Sequence, residues 1–176
     1  MPNSLYLQLS QRDIISEDEK LVLFGMCGHE KSFAANQEMV AQGGRPTTSM
    51  LLVDGYAARF KTLCNGERQI MAIHLPGDFL DLHGYLLKTL AHGVVALSLC
   101  RIALLAHSTL RKISEDMPHL SRLLWLDTLI DGSVHRECWS AWAGGPLKLD
   151  SRICSANCSF GCKWLRRRPA CPLACR

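Results

Sequence analysis

The chain has 176 residues, 48% of them hydrophobic and 20% charged, which is enough for one folded domain with a core and an appendage. It has neither an apolar run long enough to cross a bilayer nor an N-terminal secretory signal, which predicts a cytoplasmic protein without a membrane partner. Residues 138–176 hold seven Lys or Arg and one Asp, so the net charge of +4 arises there, and residues 1–137 carry a net −2. The first part of the chain therefore lacks the basic footprint of a nucleic-acid-binding domain.

The N-terminal part of the chain, residues 5–26, has a helical pattern. Ser16 followed by Glu19 is a capping box, and the apolar residues after it supply one face of a helix. Residues 30–40 are predicted to form a short strand pair that leads into a β-structure.

Four glycines then recur at a regular spacing, each in a turn signal: Gly44, Gly55, Gly66 and Gly77. Asp-Gly and Asn-Gly pairs are strong hairpin signals because both turn residues must reach positive φ at little steric cost. The runs between these turns, residues 47–53, 56–64 and 67–75, are strand-like. The pattern predicts an all-β sandwich, barrel or roll, and the spacing itself leaves a simple meander and a double-wound roll open.

The second of these runs alternates, which predicts that Ala58 and Phe60 face one side of the sheet and Arg59 and Lys61 the other. Residues 78–87 are predicted to form an irregular crossover, and residues 93–99 and 101–107 two more strands. Ser108 is expected to cap a short helix over residues 109–113.

A long helix is predicted over residues 119–137, after Pro118, a residue favoured in the first turn. Its apolar surface is wider than one stripe, so it needs two packing partners. One is its own domain; the second is either another part of that domain or the same helix of a second subunit, packed as in a coiled coil. We expect a homodimer with an interface formed by Leu123, Leu126, Ile130 and Val134.

Three motifs in this order resemble the effector domain of the Crp/Fnr family of bacterial transcription regulators over about residues 10–137: Leu52-Val53-Asp54-Gly55, Asn65-Gly66-Glu67-Arg68-Gln69-Ile70 and Leu75-Pro76-Gly77-Asp78-Phe79. The resemblance implies a mainly β fold with flanking helices. Residues 1–118 would form an N-terminal helix and a double-stranded β-helix, or jelly roll, of the cyclic-nucleotide-binding type, and residues 119–138 a dimerisation helix. In full-length members a winged helix-turn-helix follows and binds DNA.

The chain departs from the cyclic-nucleotide binders of that family, which carry a Gly-Glu pair for the ribose and an Arg-Ser pair for the cyclic phosphate. The corresponding positions hold Asp81-Leu82 and Leu90-Ala91-His92. These departures therefore predict an effector roll that does not bind cyclic AMP, and we expect no cofactor. The expected neighbours of any other small-molecule effector are Asp78, Phe79, Asp81, Leu82, His83 and His92.

Residues 139–176 differ in composition from the preceding chain and are rich in Cys and Arg. They are predicted to form an irregular tail in place of the expected winged helix. Its cysteine gaps of three residues are weak evidence for zinc, which usually takes two-residue gaps. Back-translation from Cys138 with permitted codons, read two bases later, yields an amphipathic helical sequence. We therefore expect a frameshifted tail, with an evolved tail as the alternative. It is expected to bind no specific metal and not to read DNA sequence, leaving an effector domain without its DNA-reading part.

The alternative function is a cupin-like β-roll metal-binding protein or enzyme. The seven histidines show no His-x-His motif with a downstream Glu and His, and His83 near Asp81 is more often structural than a ligand. No Ser/His/Asp order, phosphate loop or paired-carboxylate motif indicates a catalytic residue. A binding module without catalytic or metal-binding residues is favoured.

Overall fold

The computed structural model describes the backbone of residues 3–143 and the side chains of residues 4–133. Helices and strands follow one another in this order: α1 (Asn3–Ser10), α2 (Glu17–Gly25), β1 (Glu30–Phe33), β2 (Glu38–Val40), β3 (Thr48–Asp54), β4 (Ala57–Thr62), β5 (Arg68–His74), α3 (Gly84–Leu87), β6 (Gly93–Ala96), β7 (Cys100–Ala106), α4 (His107–Asp116) and α5 (Pro118–Ala143). None of the described helices is long and apolar enough to span a membrane. The chain divides into two compact units, residues 1–128 and 129–176, and every strand lies in the first.

Two antiparallel sheets form the roll, one in the order β1-β7-β3 and the other in the order β2-β6-β4-β5. Leu51 lies opposite Ala103 in the first sheet, and Ala58 lies opposite Val95 in the second. The two strands predicted over residues 30–40 form, but they do not pair with each other: β1 pairs with β7 and β2 with β6. The mainly β roll with flanking helices is the predicted fold.

Glycine turns connect the strands as the sequence predicts. Gly55, Gly66 and Gly77 adopt φ values of 93°, 84° and 106°. At the first turn Gly43, rather than Gly44, takes the left-handed conformation, with a φ of 81°. Gly55 also leaves no room for a side chain, since a Cβ there would lie 2.3 Å from the Leu99 carbonyl oxygen.

Strand β4 does not show the predicted alternation. Its first four residues, Ala57 to Phe60, are all buried, and only the last two are exposed. The strand lies between β5 and β6 in its sheet, and both of its faces are covered by other parts of the domain. The guanidinium of Arg59 is consequently enclosed by protein.

The predicted N-terminal helix is two helices, α1 and α2. The capping box at the start of α2 forms as predicted: the Ser16 side chain accepts from the Glu19 N–H, and the Glu19 carboxylate accepts from the Ser16 N–H at 2.9 Å. The same carboxylate accepts from His119 Nδ1 at 2.7 Å, and this hydrogen bond raises the pKa of His119. Helix α2 is thereby tied to the first turn of α5.

The two C-terminal helices differ in detail from the prediction. Helix α4 starts at His107, so Ser108 lies inside its first turn, and no side chain caps it. Helix α5 starts at Pro118 as expected and continues to Ala143, directly before Gly144. The remainder of the predicted tail, residues 144–176, lies outside the described residues.

The buried residues of the domain form two main clusters. One lies between the helices and the roll and includes Leu5, Leu23, Leu51, Phe79, Leu82, Leu105 and Leu120. The other fills the inside of the roll and includes Phe33, Met50, Leu52, Leu80, Val94 and Ile102. The segment from Phe79 to Leu82 contributes to both clusters, so the crossover after β5 passes through the middle of the core.

Candidate functional site

The crossover between β5 and α3 runs alongside β3. The Leu52 N–H donates to the Asp78 carbonyl at 3.0 Å, and the Leu80 N–H donates to the Met50 carbonyl at 2.9 Å. Leu51 and Phe79 form an isolated antiparallel bridge between these bonds. Residues 78–80 thus act as a short extra strand, which places Asp81 at its end, inside the roll.

Asp81 is a completely buried carboxylate. Its Oδ1 accepts from the Met50 N–H at 2.6 Å, whereas its Oδ2 is buried without a hydrogen-bond partner. Desolvation by burial raises the pKa of Asp81 to about 6, against the opposing effects of the Met50 hydrogen bond and the positive charge of Arg59. The carboxylate has unused hydrogen-bonding capacity in a buried position, a feature that occurs at functional sites and also in structural networks.

Arg59 fixes the same crossover from the opposite sheet. Its side chain leaves β4 and is 7% exposed. Its Nε donates to the Leu80 carbonyl at 2.9 Å, and its Nη2 donates to the Phe79 carbonyl at 3.3 Å. One guanidinium therefore satisfies two backbone carbonyls of the crossover and neutralises part of the Asp81 charge. Arg59 is not among the predicted site residues; the available signal was its position between alanines and Phe60 in an apolar strand.

Asp78 closes the turn that precedes this crossover. Its Oδ2 accepts from the Leu75 N–H at 2.8 Å, and its Oδ1 accepts from Gln8 Nε2 at 3.1 Å. Both carboxylate oxygens are therefore used in holding the Pro76-Gly77 turn against α1. This arrangement gives Asp78 a structural role.

The two histidines predicted near a ligand lie together. The rings of His83 and His92 have centroids 5.1 Å apart with an interplanar angle of 46°. His83 precedes α3, and His92 precedes β6 and is 8% exposed. Within the described part of the chain, no group of three or more His, Cys, Asp or Glu side chains is arranged to hold a metal ion.

The segment that corresponds to the phosphate clamp of cyclic-nucleotide binders is apolar. The Leu90 side chain is fully buried, and its Cδ2 would lie 3.0 Å from a Cβ placed on Gly84. Its N–H donates to the Gly44 carbonyl at 3.0 Å, and its carbonyl accepts from the Gly43 N–H at 2.7 Å. The Leu90 side chain thus packs against Gly84 of α3, and its backbone hydrogen bonds attach the loop before β6 to the first glycine turn.

A cavity of about 380 Å³ lies between β1, β2 and the segment that leads into β3, and Asp81 is among its lining residues. Its wall combines apolar and polar residues, and three charged side chains line it: Lys31, Arg45 and Asp81. Its other lining residues are Phe33, Met39, Val40, Gly44, Pro46, Thr47, Thr48, Met50 and Leu104.

The structure separates the six predicted ligand neighbours. Phe79 and Leu82 pack in the core between roll and helices, Asp78 closes a turn, and His83 contacts His92. Of the six, only Asp81 lines the cavity. Whether the six residues contact an effector remains a prediction.

The predicted dimer-interface residues occupy different environments in the single chain. Leu123 is 5% exposed and packs in the core of its own domain, whereas Leu126 is 40% exposed. Ile130 is half-buried, and the side chain of Val134 lies outside the described residues. The interface remains a prediction. Such an interface requires exposed apolar surface, and Leu126 provides it in the single chain.

The sequence model of the cyclic nucleotide-binding domain family matches residues 30–116, which run from β1 to the end of α4. This part of the chain is therefore similar to the family, and the expected likeness to Crp/Fnr effector domains is confirmed. No curated protein matches the chain.

Solved structures with the same fold include regulators from several bacteria. FixK2 from Bradyrhizobium japonicum is 24% identical, with a TM-score of 0.56 over 63% of this chain and 55% of that one. The catabolite activator protein of Thermus thermophilus is 15% identical, with a TM-score of 0.59 over 72% and 61% of the two chains. The regulator CLP of Xanthomonas campestris is 12% identical, with a TM-score of 0.63 over 88% and 74%. The chain thus spans 55% to 61% of the length of the first two proteins.

Proposed function

We propose that this chain is the effector domain of a Crp/Fnr-type transcription regulator, that it works as a homodimer, and that cyclic AMP is not its effector. The family match and the roll support the first part of the proposal. The apolar residues at the phosphate and ribose positions of the roll support the proposal that cyclic AMP is not the effector. The protein acts as a binding module and not as an enzyme.

The observation that carries the proposal is the fully buried Leu90 at the position of the clamp arginine. A cyclic phosphate carries a negative charge and needs a cation and hydrogen-bond donors when it leaves water. Leu90 and Ala91 provide neither. A phosphate placed there would lose its hydration without compensation, and this cost opposes binding.

The ribose position supports the same conclusion. Leu82, which stands where the family has its glutamate, is 1% exposed and packs in the core next to the helices. It offers no acceptor for a ribose hydroxyl. The regulator CLP is described as responsive to c-di-GMP, so in a protein of similar fold the effector is a different nucleotide.

Dimerisation is proposed through α5. Leu126 and Leu129 are 40% and 66% exposed in the single chain, and a coiled-coil contact between two copies of α5 would cover them. The tail after α5 is proposed not to read DNA sequence, because its sequence contains no pattern for a recognition helix.

Thermal unfolding with and without ligand tests the effector proposal. A ligand present at about 100 times its Kd stabilises the folded state by about 2.7 kcal/mol, which raises Tm by several degrees. We expect millimolar cyclic AMP to leave Tm unchanged. A rise in Tm that saturates with cyclic AMP concentration would contradict the proposal.

A further inference from the structure

The first turn of α5 holds an imidazole ring between two carboxylates. His119 Nδ1 lies 2.7 Å from Glu19 Oε1, and His119 Nε2 lies 3.3 Å from Asp13 Oδ2. Glu19 belongs to α2, and Asp13 belongs to the loop between α1 and α2. One side chain of α5 thus contacts two separate parts of the N-terminal segment.

This geometry specifies the charge of the ring. A neutral imidazole carries one N–H, and only the imidazolium can donate from both nitrogens at once, whereas an ionised carboxylate only accepts. Because each ring nitrogen faces a carboxylate oxygen, both hydrogen bonds form only when His119 is protonated. The hydrogen bond to Glu19, followed by that to Asp13, accordingly raises the pKa of His119 above its ordinary value of 6.5, against the opposing effect of desolvation.

The two carboxylates are held differently. Glu19 is 7% exposed, and its other oxygen accepts from the Ser16 N–H at 2.9 Å and from the Ser16 hydroxyl at 3.0 Å. The Asp13 side chain is 57% exposed, and it is anchored through the adjacent Ile14 N–H at 2.8 Å. The shorter bond to the better-fixed Glu19 therefore keeps the last ring proton on Nδ1, and a neutral ring loses its bond to Asp13.

We propose that His119 is a proton-controlled clasp, which fastens the loop before α2 to the first turn of α5 when its ring is protonated and releases the loop when the ring is neutral. The His119 side chain is 31% exposed, so solvent can exchange protons with it. The clasp goes beyond the proposed effector function. Its regulatory meaning rests on the proposed role of α5 in the dimer, whereas the proton switch itself is argued from the ring and its two carboxylates.

The charged groups around the ring define the pH window. Asp13 and Glu19 have pKa values below their ordinary 3.8 and 4.5, and Arg122, three residues further along α5, helps to keep Asp13 ionised. Since the folded-state pKa of His119 is raised, the stabilisation from the clasp is present below pH 6.5 and is lost as the pH rises through that folded-state pKa. The clasp is therefore closed in mildly acidic solution and opens above it.

Long-range ¹H–¹⁵N NMR of the ¹⁵N-histidine-labelled full chain tests the switch directly. We expect His119 to titrate with a midpoint above 6.5 and to keep its proton on Nδ1 at higher pH, because the hydrogen bond determines which nitrogen retains it. The backbone amides of residues 12–15 should shift with the same midpoint. In His119→Gln, which is neutral at every pH, those amides should no longer titrate between about pH 6 and pH 8.

Charge variants that preserve shape make the test specific. Asp13→Asn and Glu19→Gln should each lower the His119 midpoint by about 0.5 or more, and Gln at position 19 still accepts from Ser16 in the capping box. Glu17→Gln is the control, since it removes an equal charge from the same helix at a side chain that is 83% exposed. It should leave the His119 midpoint nearly unchanged. Thermal unfolding verifies that each variant is folded, and the wild-type titration needs no variant.

Any of three results would overturn the inference: a His119 midpoint at or below 6.5, a neutral ring with its proton on Nε2, or amide titration in residues 12–15 that persists in His119→Gln. Equal midpoints in the Asp13, Glu19 and Glu17 variants would also contradict it. None of these measurements involves cyclic AMP or the oligomeric state. Failure of this inference and failure of the proposed function are therefore distinguishable.

Discussion

Arg59 is the residue on which the crossover depends most. Its guanidinium donates to the carbonyls of Phe79 and Leu80, and its charge lies near the buried Asp81. We predict that Arg59→Met lowers the free energy of unfolding by about 3 kcal/mol, because it leaves a buried carboxylate and two carbonyls uncompensated. Urea denaturation measures this difference.

Lys61→Met is the matched control for that variant, since Lys61 lies on the same strand but is exposed. Its expected change is within about 0.5 kcal/mol. Equal stabilities of the two variants would show that Arg59 has no such role.

Asp81 gives the protein a specific pH dependence. Its folded-state pKa is about 6 and its ordinary value 3.8, so between these pH values the folded state binds more protons than the unfolded state. Stability from this residue is therefore greatest at the acidic end of the window and falls as the pH rises to about 6. The loss across the window is on the order of 3 kcal/mol.

Urea denaturation of the wild type and of D81N at a series of pH values measures this contribution. Asn cannot titrate, so the difference between the two proteins isolates Asp81 from the acidic groups Asp13 and Glu19, whose pKa values are lowered and whose contributions have the opposite sign. A difference that does not change between these pH values would contradict the assignment.

The position of Arg59 shows what single-residue reasoning from the sequence misses. Alternation in β4 predicted Arg59 on a face opposite Phe60, and an arginine on a strand is usually exposed. Burial of both faces depends on which strands and loops cover β4, and these come from distant parts of the chain. The departure at Leu90, in contrast, was visible in the sequence because the family resemblance supplied the expected arginine.

At the scale of elements, the contact between β6 and β4 depends on Gly93. A Cβ at this position would lie 2.4 Å from Cζ of Phe60, whose ring is 2% exposed and has little space to move. We predict that Gly93→Ala lowers the free energy of unfolding by about 1–3 kcal/mol through this overlap.

Gly25→Ala is a suitable comparison for that variant. It lies at the end of α2, where a Cβ would meet nothing within 4 Å, so the change should be neutral or slightly stabilising. Chemical denaturation of both proteins provides the measurement. A Gly93→Ala protein as stable as the wild type would mean that the ring has another position available.

Turns and helix caps, which depend on residues close together in the sequence, were predicted correctly. Gly55, Gly66 and Gly77 lie at positive φ, and the Ser16–Glu19 capping box forms at α2. The pairing of β1 with β7 could not be predicted in this way, because it joins residues that are far apart in sequence. The cavity lined by Asp81 is likewise bounded by β1, β2 and the segment before β3, so it exists only in the folded chain.

At the scale of the whole molecule, substitution of a single residue, Ile130, tests the proposed dimer. Ile130→Asp would place a charge in the apolar contact between two α5 helices, and we predict that it gives a monomer. Ile130→Leu keeps the apolar surface and should remain dimeric. Sedimentation equilibrium measures both, and a monomeric wild type would contradict the proposed interface.

The roll is similar to cyclic nucleotide-binding domains, and we propose that it does not accept cyclic AMP. Calorimetric titration of the wild-type protein with cyclic AMP tests it most directly, because it needs no variant and no assumption about the oligomer. The buried Leu90 at the phosphate position and the buried Leu82 at the ribose position predict no heat beyond dilution. A saturable binding isotherm with micromolar affinity would contradict the account.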